Sequence, residues 1–179
     1  MSNQIITKKV KNKFLALFIL LGITLLFSST KIVLIASGYV LEKKIYLDTF
    51  VFSNDIKFNI ERLTDPEGIL NIVRFEGWAF NSNYKPDTER HVSLILKSNN
   101  IVYELPTIVG SRPDVPKAFV ELNLQPHDLG FSGEFSIIAI EDGAYELYIK
   151  VWETGEEATL KSTDRYFEIS RDQFKEVKR

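Results

Sequence analysis

The hydrophobic pattern of the chain changes near residue 41. Before it, residues 14–30, FLALFILLGITLLFSST, are apolar and uncharged, and the apolar character resumes after Lys31. A helix of about 17 to 25 residues crosses a bilayer, and a lysine near one end can extend its ammonium to the headgroups. The pattern predicts a transmembrane helix at residues 14–36, acting as a signal anchor, with residues 37–44 as a linker.

A cleaved signal peptide is the alternative interpretation of this segment. Basic residues precede the apolar run, and Ala36-Ser37-Gly38 supplies small residues for a cleavage site. Against cleavage, the apolar run extends well beyond a signal-peptide core, and Lys31 followed by Ile32-Val33-Leu34-Ile35 fits a polar cleavage region poorly. Both interpretations export the rest of the chain.

Beyond residue 41 the apolar positions recur with a period of two. Val92, Leu94 and Leu96 fall on one face of an extended segment, and residues 145–151 alternate in the same way. These segments are predicted to be half-buried strands. Further predicted strands, rich in β-branched and aromatic residues, lie at 45–52, 56–62, 69–80, 100–106, 118–124, 133–140 and 163–169.

Turn residues separate these segments at short intervals, as in Asp65-Pro66-Glu67-Gly68 and Asp142-Gly143. Many short strands without amphipathic helices between them are typical of an all-β, antiparallel β-sandwich, which we predict over residues 45–170. The charged tail, residues 171–179, is predicted to be frayed or a short helix.

Two details favour an immunoglobulin-like sandwich. Tyr145 lies at the start of a predicted strand, where its hydroxyl can hydrogen-bond to the backbone as a tyrosine corner. Leu147 lies two residues later, at the position where antibody domains have a cysteine. Trp78 is predicted to be the central aromatic residue of the core.

The charge distribution supports an outward-facing domain. Five of the 22 basic residues and none of the 24 acidic ones precede residue 42, so residues 42–179 carry a net charge of −7. An acidic domain argues against binding nucleic acid, which requires a basic surface. Lysines before the span place residues 1–13 in the cytoplasm and the domain outside. The absence of cysteine excludes disulfides and thiolate metal sites.

Four short motifs follow one another along the chain: Gly77-Trp78-Ala79, Arg112-Pro113-Asp114-Val115, Gly130-Phe131 and Gly143-Ala144-Tyr145. In this the chain resembles small RPDV/GF-type immunoglobulin-like β-sandwich accessory domains, which occur in bacterial cell-envelope proteins and beside glycosyltransferase modules. The resemblance covers residues 70–152. It implies a non-catalytic module linked to surface glycans.

Two sets of residues are candidate binding sites. Arg112 and Asp114 either form a structural clasp in a proline-restrained loop or present a donor and an acceptor to sugar hydroxyls or to a loop of a partner protein. Tyr148, Lys150 and Trp152 share one strand face and form either an exposed aromatic platform or a face packed beneath the N-terminal strand or the C-terminal tail.

No catalytic or cofactor motif occurs in the sequence. His91 and His127 lack ligand-spaced partners, which argues against zinc; we expect His91 on a solvated strand face and His127 in a turn. The sequence therefore predicts no catalytic residue, cofactor or metal.

The leading functional prediction is a single-pass membrane protein that displays a non-catalytic binding or accessory domain in envelope or surface-polysaccharide assembly. Its partners would be the membrane and either an envelope glycan or a membrane protein. The alternatives are a structural subunit of a membrane complex and, third, a carbohydrate-active hydrolase, which would need carboxylates brought together across strands.

Overall fold

A computed structural model describes residues 42–44, 51–83, 85, 88–99 and 101–178. The predicted transmembrane segment at 14–36 lies outside these residues. Within the ranges described, no helix is both long enough and apolar enough to span a membrane.

The described chain is an all-β fold, as predicted. Its strands are β1 (Glu42–Lys44), β2 (Val51–Phe52), β3 (Ile56–Leu63), β4 (Ile72–Asn81), β5 (Arg90–Lys97), β6 (Val102–Leu105), β7 (Ile108–Gly110), β8 (Gly130–Ser136), β9 (Gly143–Glu153), β10 (Thr159–Ser170) and β11 (Gln173–Val177). A short helix, α1 (Val115–Ala118), and 3-10 turns at Val120–Leu122, Pro126–Asp128 and Ile137–Ala139 complete the described elements.

The strands form two sheets. The large sheet has the order β1-β6-β5-β9-β10-β11, and β2 adds to β10 as a parallel neighbour. The small sheet has the order β3-β4-β8-β7. Because β6 ends at Leu105 in one sheet and β7 begins at Ile108 in the other, the chain changes sheets within two residues.

The facing sides of the two sheets share one apolar core. Alternation along β4 buries Val73, Phe75 and Ala79, and on β9 it buries Leu147 and Ile149. Side chains from both sheets meet in a single cluster, and their removal from water is the main favourable contribution to folding.

The tyrosine predicted to form a corner makes the expected contact. The Tyr145 hydroxyl donates to the carbonyl oxygen of Glu141 at 2.8 Å, and burial raises the pKa of the Tyr145 phenol. Leu147, two residues on, is buried in the core.

A second, smaller apolar cluster covers the outer face of the small sheet. Trp78 and Phe80 point outward from β4 and pack against Phe119 from the β7–β8 connection, with ring centroids 5.4 and 5.2 Å from the Phe119 ring. The prediction of Trp78 as the central core aromatic is therefore wrong, because alternation along β4 turns Phe75 inward and Trp78 outward.

The prediction of a strand at 118–124 is also wrong. Ala118 ends α1, and the 3-10 turn Val120–Leu122 follows, capped by Asn123 in a left-handed conformation (φ 48°). Phe119, Leu122 and Leu124 pack onto the outer face of the small sheet instead, whereas Val120 is exposed.

The prediction of a frayed or helical tail at residues 171–179 is wrong for the part that the structure describes, which ends at residue 178. Residues of β11 pair antiparallel with the end of β10. Phe174 stacks on Phe167 at a centroid distance of 4.5 Å and joins the main core, so one buried aromatic side chain attaches a strongly charged segment to the sheet.

Candidate functional site

A cleft opens beside the crossing from β6 to β7. It consists of two adjoining cavities, of about 380 and 750 Å³. Both are lined by His91, Thr107 and Val109, so these three residues lie between the two cavities. Volumes of this size are typical of small-molecule sites.

Trp152 supplies the aromatic surface of the smaller cavity. Alternation along β9 buries Val151 in the core and turns Trp152 outward, where it is 37% exposed. His91 lies directly opposite on β5, and the two rings are 5.0 Å apart with an interplanar angle of 33°. The imidazole therefore supports the indole and restricts its orientation.

A charged pair lies beside this aromatic surface. The Lys150 ammonium donates to Glu104 Oε1 at 2.8 Å, and the Ser93 hydroxyl donates to the same oxygen at 2.8 Å. The Lys150 and Glu104 side chains are 17% and 19% exposed. The pair is therefore fixed at the cavity wall but still reaches solvent.

A buried arginine positions the wall of the larger cavity. The Arg90 guanidinium is fully buried; its Nε donates to Glu153 Oε1 at 3.1 Å, and its Nη1 lies 3.1 Å from Asp128 Oδ1. Asp128 ends the 3-10 turn that carries His127, and both residues line the cavity. Arg90 thus joins the large sheet to a turn in the β7–β8 connection.

Arg112 forms a clasp with two carboxylates. Its guanidinium makes bidentate contacts with Asp114 at 2.9 and 2.6 Å and with Glu61 of β3 at 2.8 and 2.8 Å. The hydrogen bonds from Arg112 lower the pKa of Asp114 to about 2, and those from Asp114 and Glu61 raise the pKa of Arg112. Most of the guanidinium's donor capacity is therefore used within the protein.

The clasp also depends on the residues beneath it. A Cβ on Gly130 would lie 2.7 Å from Arg112 Cγ. The Arg112 side chain therefore passes over β8 at Gly130, which has no side chain to block it. The backbone N–H of Arg112 donates to the carbonyl oxygen of Pro126 at 2.6 Å. This bond ties the clasp to the turn of Pro126–Asp128.

Tyr148 does not share an exposed platform with Trp152. It is 7% exposed and packs with Ile95, Val102 and Leu160. Phe52 of β2 meets its ring edge-on at 5.9 Å. Burial raises the pKa of the Tyr148 phenol. The alternative of packing beneath the N-terminal strand therefore describes Tyr148, whereas Trp152 and Lys150 line the cleft.

Both histidines lie in the expected settings, His91 on an exposed strand face and His127 in a turn. Sequence reasoning did not anticipate that both line the larger cavity, or that Glu104 pairs with Lys150. The order of β6, β5 and β9 in the large sheet brings these groups together, and a period-two pattern assigns a side chain to a face but does not identify the neighbouring strand. Among the described residues, no group of three or more potential metal ligands converges.

Comparisons with protein-family models, curated proteins and solved structures found no match.

Proposed function

We propose that this protein is a recognition module of the bacterial cell envelope: an exported, immunoglobulin-like sandwich, held at the membrane by residues 14–36, that binds a surface glycan without catalysing a reaction. The observation that carries the proposal is Trp152. A partly exposed indole, supported by His91, lies in a cleft of several hundred cubic ångströms together with polar side chains.

This combination suits a carbohydrate. A sugar ring presents C–H groups on its faces and hydroxyls around its edge, so its binding requires an aromatic face together with hydrogen-bonding side chains. Ser93, Glu104, Thr107 and Lys150 supply such groups around Trp152.

The surroundings of the carboxylates support a binding role. Glu104 pairs with Lys150, and the single guanidinium of Arg90 contacts both Glu153 and Asp128. Carboxylates engaged in this way suit a structural role or hydrogen bonding to a ligand. The proposal therefore includes no general acid or nucleophile.

The proposal is tested by binding of neutral and acidic envelope oligosaccharides to the full chain in detergent micelles. Trp152→Ala should weaken binding at least tenfold, because it removes the stacking surface without disturbing the buried core. Ile69→Ala is the matched control, since Ile69 is 97% exposed in the β3–β4 connection and lines neither cavity.

Equal binding by the Trp152→Ala variant and the parent would contradict the proposal. So would turnover of an oligosaccharide that is abolished by one carboxylate substitution, since that indicates a hydrolase. Co-purification of a stoichiometric membrane protein, lost when residues 14–36 are replaced by an unrelated span, would favour the subunit alternative.

A further inference from the structure

The smaller cavity has the features of a subsite for a single sugar ring. Resting on the proposed glycan recognition, we propose that this cavity binds a neutral pyranose carrying two adjacent hydroxyls. In this arrangement Trp152 stacks on the ring, and the Lys150–Glu104 pair recognises the diol.

The spacing of the groups supports this assignment. Lys150 and Trp152 are two residues apart on one face of β9, which places their Cα atoms about 6.5–7 Å apart. That separation lets a ring stacked on the indole direct its edge toward the ammonium. Ser93 pairs with Lys150 in the β5–β9 ladder. The Ser93 hydroxyl, the Lys150 ammonium and the Glu104 carboxylate therefore lie on the same side of the proposed sugar ring.

The chemistry of the pair matches a diol. An ammonium only donates hydrogen bonds and an ionised carboxylate only accepts them, whereas each sugar hydroxyl can do both. Two neighbouring hydroxyls can therefore accept from Lys150 and donate to Glu104 simultaneously. Hydrogen bonds to charged groups are stronger than those between neutral groups, and the bond between Lys150 and Glu104 holds both side chains in place before the ligand binds.

The charge of the cleft favours an uncharged ligand. Among the described residues that line the two cavities, Glu89, Glu104 and Asp128 are acidic, and Lys150 and the buried Arg90 are cationic. Arg90 also contacts the buried carboxylate of Glu153, so the negative charges outnumber the positive ones. Anionic polymers such as polyuronates and phosphate-linked glycans should therefore bind poorly.

Periodate provides a direct test, because it cleaves the carbon–carbon bond between adjacent hydroxyls. The full chain in detergent micelles would be titrated with neutral gluco-, galacto- and manno-oligosaccharides before and after periodate treatment, and with oligogalacturonate as an anionic probe. Calorimetry would measure affinity, and thermal melts would establish that each variant remains folded.

We expect periodate treatment, Lys150→Met and Glu104→Gln each to lower affinity for the bound oligosaccharide at least tenfold. Lys150→Arg, which keeps a cationic donor, should stay within a few-fold of the parent. Ile69→Ala should have no effect, and oligogalacturonate should bind at least tenfold more weakly than the best neutral probe.

The outcomes separate the two proposals. If Trp152→Ala abolishes binding but periodate treatment or Lys150→Met does not weaken it, the diol assignment is wrong and the recognition proposal stands. Tighter binding of oligogalacturonate would likewise overturn the neutral-ligand assignment alone. If no oligosaccharide of either charge binds the parent chain, both proposals fail.

Discussion

At the scale of single residues, Arg112 is the residue that both carboxylates of the clasp contact. It contacts two carboxylates at once, Asp114 within its own loop and Glu61 on β3. Its alkyl stem also packs over Gly130. Removing the arginine therefore removes every contact of the clasp, whereas removing one carboxylate leaves the other in place.

We predict that Arg112→Ala lowers the melting temperature more than Asp114→Ala does. The unfolding free energy of the Arg112→Ala variant should be about 1 kcal/mol below that of the parent. The double variant should melt close to Arg112→Ala, because the two substitutions remove the same interaction. Thermal melts of the parent, the two single variants and the double variant measure these differences. If the two single decreases in melting temperature add up in the double variant, the clasp is contradicted.

Acid should remove the Asp114 part of the clasp. The pKa of Asp114 falls from an ordinary 3.8 to about 2 because Arg112 hydrogen-bonds the ionised form. A group whose pKa is lowered by folding stabilises the folded state above its unfolded pKa and ceases to do so as pH falls through its folded pKa. The difference in melting temperature between the parent and Asp114→Asn should thus persist at pH 5 and shrink between about pH 4 and 2.

At the scale of elements, the crossing between β6 and β7 approaches β8 so closely at Gly133 that a side chain does not fit. A Cβ on Gly133 would lie 2.2 Å from the carbonyl oxygen of Pro106 and 2.5 Å from the Phe75 ring. Pro106 belongs to the crossing between β6 and β7, so this contact fixes the position of the crossing and of the cleft beside it.

Gly133→Ala should therefore destabilise the protein by about 1–3 kcal/mol, since backbone must move to admit the methyl group. Gly110→Ala is the matched control, because a Cβ there meets no atom within 4 Å. Denaturant unfolding monitored by tryptophan fluorescence measures both. Equal stability of the Gly133→Ala variant and the parent would contradict the close approach.

Period-two patterns located most of the strands from sequence. The strand predicted at 56–62 appears as Ile56–Leu63, and Tyr145 forms the expected corner bond. The pattern did not indicate which side of β4 faces the core, because apolar residues occupy both sides where the β7–β8 connection covers Trp78 and Phe80.

The candidate site was less predictable than the fold. Trp152 and Lys150 were identified from one strand, but their partners His91 and Glu104 come from β5 and β6. These pairs depend on which strands are neighbours in the sheet, and the period-two pattern of one strand does not identify its neighbours. The same limit applies to Arg112, whose partner Glu61 lies fifty-one positions earlier.

At the scale of the whole molecule, the absence of cysteine allows a clean test of the proposed orientation. Ile69→Cys would place one thiol at a position that is 97% exposed, and Ser2→Cys would place one at the predicted cytoplasmic end. A membrane-impermeant maleimide should label the first variant on intact cells and the second only after lysis. The reverse pattern would contradict an outward-facing domain, and loss of residue 2 from the mature chain would indicate cleavage.

The short strands β1 and β2 have a mechanical consequence if residues 14–36 anchor the chain. Tension from the membrane would first load β1, held by three residue pairs, and then β2, held by two, before it reached the long ladders of the core. Peeling both strands away would release residues 42–52, up to Ser53, whose N–H still donates to the carbonyl oxygen of Leu160. That length extends to about 36–40 Å, so the domain could move away from the bilayer under load while the core and its cleft stay folded.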